Sequence, residues 1–151
     1  MELHERLNND YKAYCESQKK HLDEAGRQYR ESGDEWECVK SKIKLGLAEM
    51  IFSSVATIYD LADDKATIPE KHWLRREVDL NGIRGKNERF YRFLTAFMDH
   101  VKAPWLASLE QSKERDDAET IDKETVKLEY LQELKDRFTS MYTRLSEDFP
   151  C

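Results

Sequence analysis

The sequence predicts an all-α protein, an antiparallel bundle of four long helices whose single long crossover contains a short helix. Only five glycines and three prolines occur in 151 residues, too few for the tight turns of an all-β fold. Apolar residues recur every three or four positions over several long stretches, as on one face of a helix. With 39% hydrophobic and 37% charged residues, such helices can bury a core and cover its outside. We therefore expect residues 1–151 to form one helical-bundle domain.

The first predicted helix runs from Leu3 to about Glu31. Its apolar stripe consists of Leu3, Leu7, Tyr11, Tyr14, Gln18, Leu22, Ala25 and Tyr29. Gly33 suits the left-handed residue that follows a helix, and Asp34 suits the cap of the next helix. Asp34 and Glu37 have the spacing of a capping box. These signals predict a tight turn between the first two helices.

The second predicted helix is the most apolar one and should be the most buried. One face carries Trp36, Val39, Ile43, Leu47, Met50, Ser54, Ile58 and Leu61, and another carries Leu45, Phe52, Ala56 and Tyr59. The stretch 45–62 approaches membrane-spanning length, but burying Glu49 and Asp60 in lipid would be costly. It is therefore interpreted as a core helix, and no membrane partner is expected.

The connection over about residues 65–86 contains the predicted short helix. Thr67, Ile68 and Pro69 can open that helix with proline in its first turn. Gly82 and Gly85 then interrupt the pattern. This segment is the predicted crossover.

Two further long helices complete the predicted bundle. One begins near Lys86 and carries Phe90, Phe93, Leu94, Phe97, Val101, Trp105 and Leu109, with Pro104 expected to kink or divide it. A polar run over 113–119 separates it from the last helix, which should be capped at Thr120 or Asp122. That helix carries Leu128, Leu131, Leu134, Phe138, Met141, Leu145 and Phe149.

Positive charge is concentrated in one segment of this acidic chain. The formal net charge is −6 overall but +4 over residues 71–109. The candidate partner- or anion-binding residues of the basic segment 71–92 are Arg75, Arg76, Arg84, Lys86, Arg89, Arg92, Trp73 and Tyr91. Arginines with interleaved aromatic rings can bind phosphate or stacked bases. The alternative, which the overall negative charge favours, is that these arginines pair with carboxylates of the first and last helices and tether the crossover.

Catalytic and metal-binding patterns are weak in this sequence. Glu49 and Asp60 could both be partly buried, but three helical turns would separate them, about 16 Å, which is too far for one metal ion. His100 is interpreted as a hydrogen-bonded histidine at the edge of the core. No nucleophile elbow, phosphate-binding loop or metal-ligand spacing is present, so no catalytic residue, metal or cofactor is predicted.

These observations predict a non-enzymatic protein–protein interaction module, such as an adaptor, regulator or inhibitor, that could also self-associate. A nucleic-acid- or phosphate-binding accessory protein is the alternative, and a small helical enzyme using Glu49, Asp60 or His100 has the least support. The amino terminus lacks the pattern of a secretory signal, so a cytoplasmic location is expected. Cys15, Cys38 and Cys151 form no paired motif and are interpreted as free thiols.

Overall fold

The computed structural model describes residues 1–148 and confirms the predicted all-α helical bundle. Its elements are α1 (Leu3–Ser32), α2 (Glu35–Leu61), the short α3 (Trp73–Glu77), a 3₁₀ turn (Leu80–Gly82), α4 (Gly85–Glu114) and α5 (Ala118–Asp148). Residues 1–148 contain no β-strand. Within this range, none of the helices combines the length and apolar character needed to cross a membrane. The crossover occupies the connection between α2 and α4.

The four long helices run up, down, up and down. The hydroxyl of Tyr11 in α1 donates to the carbonyl of Leu134 in α5 at 3.1 Å, and farther along α1 Gln18 accepts a hydrogen bond from the hydroxyl of Tyr130, so these two helices are antiparallel. Lys135 of α5 binds Asp99 of α4 at 2.7 Å. The most extensive packing joins α1 to α2 and α4 to α5, and α2 then packs against α5. The bundle is therefore two helical hairpins packed together, with the crossover at the end where α1 and α4 begin.

The turn between α1 and α2 has the predicted chemistry. Gly33 has φ 79°, a left-handed conformation that favours glycine. A side-chain oxygen of Asp34 accepts the amide N–H of Glu37 at 3.1 Å. The carboxylate of Glu37 pairs instead with Lys40 at 2.6 Å. The predicted Asp34 cap is thus confirmed, whereas the carboxylate of Glu37 forms an ion pair instead of completing the capping box.

Aromatic rings from three helices meet at the centre of the core. The ring of Phe138 lies 4.6 Å from Tyr11, 5.7 Å from Phe90 and 5.8 Å from Tyr91, measured between centroids. Tyr11, Phe90 and Phe138 are fully buried. Because α1, α4 and α5 each contribute a ring, this cluster links the two hairpins.

The buried face of α2 only partly matches the predicted one. Leu47 and Ile58 are buried as predicted, and Ala48, Ile51 and Val55 are fully buried, whereas Trp36 is 39% exposed. The sequence left the burial of Glu49 and Asp60 open, and both are exposed. Because α2 is apolar around much of its circumference, its sequence offered several plausible faces, and packing against α1 and α5 selected one.

Element boundaries also differ at three places. The short helix begins at Trp73 rather than at Pro69, capped by His72, whose Nδ1 accepts the amide N–H of Leu74 at 3.2 Å. Helix α4 continues through Pro104, which lies on the exposed side of the helix, where solvent can satisfy the backbone carbonyl that loses its donor. Helix α5 begins at Ala118, and Asp117 caps it by accepting the amide N–H of Thr120 at 3.2 Å.

The predicted stripe of the last helix extends past the described range. Leu131, Leu134, Phe138, Met141 and Leu145 are buried, as expected. Phe149 lies outside the described residues. Most of this stripe is therefore confirmed.

Candidate partner-binding surface

Two arginines of the basic segment hold the crossover in place through backbone carbonyls. The Nε of Arg75 donates to the carbonyl of Ile68 at 2.7 Å. The Nε of Arg89 donates to the carbonyl of Ala62 at 2.8 Å, and its Nη2 donates to that of Asp63 at 3.5 Å. Ala62 is the residue that ends α2. Arg89 therefore satisfies carbonyls left without helical partners.

Lys86 is also engaged within the fold. Its Nζ lies 3.8 Å from the ring centroid of Tyr59, within the range of a cation–π interaction. Within residues 1–148, no cation of the basic segment forms an ion pair with a carboxylate of α1 or α5. The predicted tethering thus occurs for Arg75, Arg89 and Lys86, but through carbonyls and a ring rather than carboxylates.

The remaining three cations of the set, Arg76, Arg84 and Arg92, are exposed. Arg92 lies 3.8 Å from Glu88, one turn earlier on α4, in a solvated ion pair of small energetic value. Among the described residues, the side chains of Arg76 and Arg84 have no hydrogen-bond or ion-pair partner. We call these three arginines, together with the exposed side of the crossover, the crossover surface.

The two aromatic candidates point into the fold rather than toward these arginines. Trp73 stacks on His100 with a centroid distance of 4.6 Å. Tyr91 stacks on Tyr142 at 4.0 Å, and its hydroxyl lies 3.3 Å from that of Thr139. Both side chains are half-buried. Their rings are therefore already used in packing.

His100 fixes the short helix against α4. Its Nδ1 lies 2.9 Å from a carboxylate oxygen of Glu77. The stacking of His100 on Trp73 adds a second contact between the same two helices. His100 is half-buried, so the interpretation as a hydrogen-bonded histidine at the core edge agrees with the structure.

One cleft, of about 420 Å³, opens where α1 and α4 begin. We call it the end cleft; its lining includes His4, Arg84, Lys86, Asn87, Tyr142 and Ser146. The side-chain oxygen of Asn87 accepts a hydrogen bond from the backbone N–H of His4 at 2.9 Å. The same oxygen lies 2.7 Å from the Nδ1 atom of the His4 ring. Gly85 has φ 76°, so the chain enters α4 in a conformation that favours glycine. The sequence could not reveal His4 and Asn87 as neighbours, because 83 positions separate them.

A second cleft, of about 380 Å³, lies between the crossover and α4. We call it the acidic cleft; its lining includes Glu77, Val78, Asp79, Ile83, Arg92 and Asp99. Burial of Asp99 tends to raise the pKa of its carboxyl. Hydrogen bonds from Lys135 and Lys102 outweigh burial and hold that pKa below its usual value. The sequence did not point to these carboxylates as neighbours, because only the fold brings α3 and α4 together. Arg92 belongs both to the lining of the acidic cleft and to the crossover surface.

The residues considered for catalysis do not form a constellation. Glu49 and Asp60 are exposed on α2, and Glu49 borders only a shallow hollow with Glu16 and Lys20. Among residues 1–148, no group of three or more histidine, cysteine, aspartate or glutamate side chains is arranged to hold a metal ion.

No family model matches this chain, and searches of curated proteins and of solved structures gave no match either. The function must therefore be inferred from the residues of this chain itself.

Proposed function

We propose that this protein is a non-enzymatic interaction module whose crossover surface binds an acidic segment of another protein. The observation that carries this proposal is that the exposed side chains of Arg76 and Arg84 have no hydrogen-bond or ion-pair partner among residues 1–148, while the neighbouring cations Arg75 and Arg89 bind backbone carbonyls. Arginine binds carboxylates through a planar, multi-donor group. A crossover held by the hydrogen bonds of Arg75 and Arg89 presents these donors with less entropy to lose than an untethered loop would.

The end cleft gives the partner an anchoring point beside the arginines. Arg84 lines it, together with Leu3 and the ring of Tyr142. Lys86 is a second cation of the lining, which also includes Glu2 and Glu88, so the cleft combines both charges with apolar surface. A segment that places a carboxylate against Arg84 and an apolar side chain beside Leu3 and Tyr142 fits this lining. We therefore place Arg84 at the centre of the proposed interface and Arg76 at its rim.

Nucleic acid is the alternative ligand, and two observations argue against it. Single-stranded bases are bound by stacking on aromatic faces, yet Trp73 and Tyr91 are stacked within the fold. The formal net charge of −6 also repels a phosphate backbone. An acidic protein segment requires neither a free ring nor a broad positive field.

The proposal is tested by capture from the native cell with the Arg76→Glu/Arg84→Glu variant. The matched control is Lys20→Glu/Lys42→Glu, which changes net charge equally at exposed positions of α1 and α2. We expect wild type and control to retain the same co-purifying protein and the arginine variant to lose it, without competition from generic RNA or DNA. Equal capture by all three proteins would contradict the proposal, as would nucleic-acid binding that only the arginine variant loses.

A further inference from the structure

The second half of α4 exposes apolar surface on the side that faces away from the core. Leu106 is 44% exposed, and Ala103 and Ala107 beside it are exposed as well. On the other side of the helix, Val101 and Trp105 pack against the core. A helix that is apolar on both sides normally has a neighbour on each. In the described chain, Leu106, Ala103 and Ala107 remain exposed on the outer side, whereas Asp99, nearer the start of the helix, contacts Lys135 of α5.

Charged residues are arranged symmetrically around Leu106 on that outer side. Asp99 and Lys113 lie seven positions before and after it, and Lys102 and Glu110 lie four positions before and after it. At 3.6 residues per turn, all four fall within about 40° of Leu106 around the helix. In both pairs the two members carry opposite charges. We call these five residues the α4 stripe.

We propose that two copies of this chain associate through the α4 stripe, with their α4 helices antiparallel and a two-fold axis at Leu106. In this arrangement Lys102 faces Glu110 of the second copy, and Asp99 faces its Lys113. The symmetry repeats each pair, so four ion pairs surround an apolar centre. A parallel arrangement would place each charge against its own equivalent, which is repulsive.

The acidic clefts of the two copies lie at opposite ends of this interface. Asp99 lines it with Glu77 and Asp79, about 10 Å along α4 from Leu106 by helix rise. In the second copy, Lys113 lies the same distance from Leu106 in the C-terminal direction, and Arg115 lies slightly farther. Lys113 of one copy therefore reaches the acidic cleft of the other, where Asp99 is its proposed partner.

The ion pairs that the stripe forms within one chain are weak enough to rearrange. Lys113 lies 3.7 Å from Glu110, and these side chains are 56% and 74% exposed. Lys102 lies 3.3 Å from Asp99, which Lys135 continues to hold at 2.7 Å. Exposed pairs of this kind contribute little, so exchanging them for pairs across an interface with a desolvated centre is favourable.

Sedimentation of charge-reversed variants tests both the interface and its orientation. We expect wild type to dimerise below about 100 μM, and Lys102→Glu or Glu110→Lys alone to raise the dimer dissociation constant about tenfold, because two attractions become repulsions. Mixing these two variants should restore association, since a heterodimer then pairs every charge with its opposite. The double exchange Lys102→Glu/Glu110→Lys should restore it in a single protein.

Three results would overturn this proposal: a monomeric wild type at that concentration, Leu106→Glu dimerising as wild type does, or no recovery in the mixture. Circular dichroism of each variant shows that its helices are retained. The Arg76→Glu/Arg84→Glu variant lies outside the stripe and should dimerise normally. Loss of a protein partner and loss of the dimer are therefore separate outcomes.

Discussion

At the scale of single residues, neighbouring arginines have different roles despite their shared sequence context. Arg89 donates to two carbonyls at the end of α2, whereas the Arg84 side chain projects into solvent. We expect Arg89→Ala to lower the free energy of unfolding by about 1.5–3 kcal/mol, because charged hydrogen bonds are lost and the carbonyl of the buried residue Ala62 loses its donor. Arg84→Ala should change it by less than about 0.5 kcal/mol. Urea unfolding of both variants measures the difference, and equal values would contradict the assigned roles.

The buried thiol of Cys15 makes stability depend on alkaline pH. Burial raises its pKa from 9.0 to about 12, and burial also raises the pKa of its neighbour Tyr11 well above 10.0. The unfolded chain therefore loses these protons first, so stability is complete below about pH 9 and falls as pH rises toward 12.

The contribution of Cys15 can be separated by substitution. Between pH 8 and pH 10.5, this thiol should account for a fall of about 2 kcal/mol in the free energy of unfolding. Cys15→Ala removes the titrating group, so its stability should fall less over this range, whatever the variant's stability at pH 8. An identical fall in both proteins would show that the thiol ionises readily in the folded state.

At the scale of elements, α4 tolerates a proline that the sequence suggested would kink or divide it. Pro104 removes one backbone hydrogen bond yet lies on the exposed side of a continuous helix. Pro104→Ala should therefore stabilise the protein by about 1–3 kcal/mol, which thermal or urea unfolding would detect. A loss of stability would indicate that the proline ring makes a contact that alanine cannot replace.

Helix positions followed from the sequence more closely than helix faces did. Gly33, Asp34 and the apolar stripe of α1 defined the first hairpin, because capping and periodicity are local properties. The same reasoning identified Leu47 and Ile58 on the inward side of α2, but it missed Ile51 and Val55, which are fully buried, and included Trp36, which is 39% exposed. For a helix that is apolar on several sides, neighbouring helices decide the orientation, and their positions are not local information.

At the scale of the whole molecule, Phe138 connects the two hairpins. Its ring contacts Tyr11 from α1 and Phe90 and Tyr91 from α4. Phe138→Ala should cost about 3–5 kcal/mol, whereas Ile43→Ala, at a half-buried position of α2, should cost less. Chemical denaturation of both variants compares the sites. A larger loss for Ile43→Ala would place the principal packing elsewhere.

The candidate surface was only partly predictable for a related reason. The excess of positive charge identified the segment that contains Arg76 and Arg84. It did not show which cations of that segment would instead bind backbone carbonyls of the crossover. The two clefts involve residues from distant parts of the chain, such as His4 with Asn87 and Glu77 with Asp99. Proximity of that kind arises from tertiary packing and cannot be inferred from local patterns in a single sequence.

The hairpin construction of the bundle also has a kinetic consequence. Because α1 packs mainly on α2 and α4 on α5, much of the core forms between segments joined by very short turns. Chains dominated by such local contacts fold quickly, typically in microseconds to milliseconds. Packing the two hairpins together also closes the crossover, and the entropic cost of that closure depends only logarithmically on the length of the crossover. Lengthening the exposed chain near Asp64 should therefore slow folding only slightly.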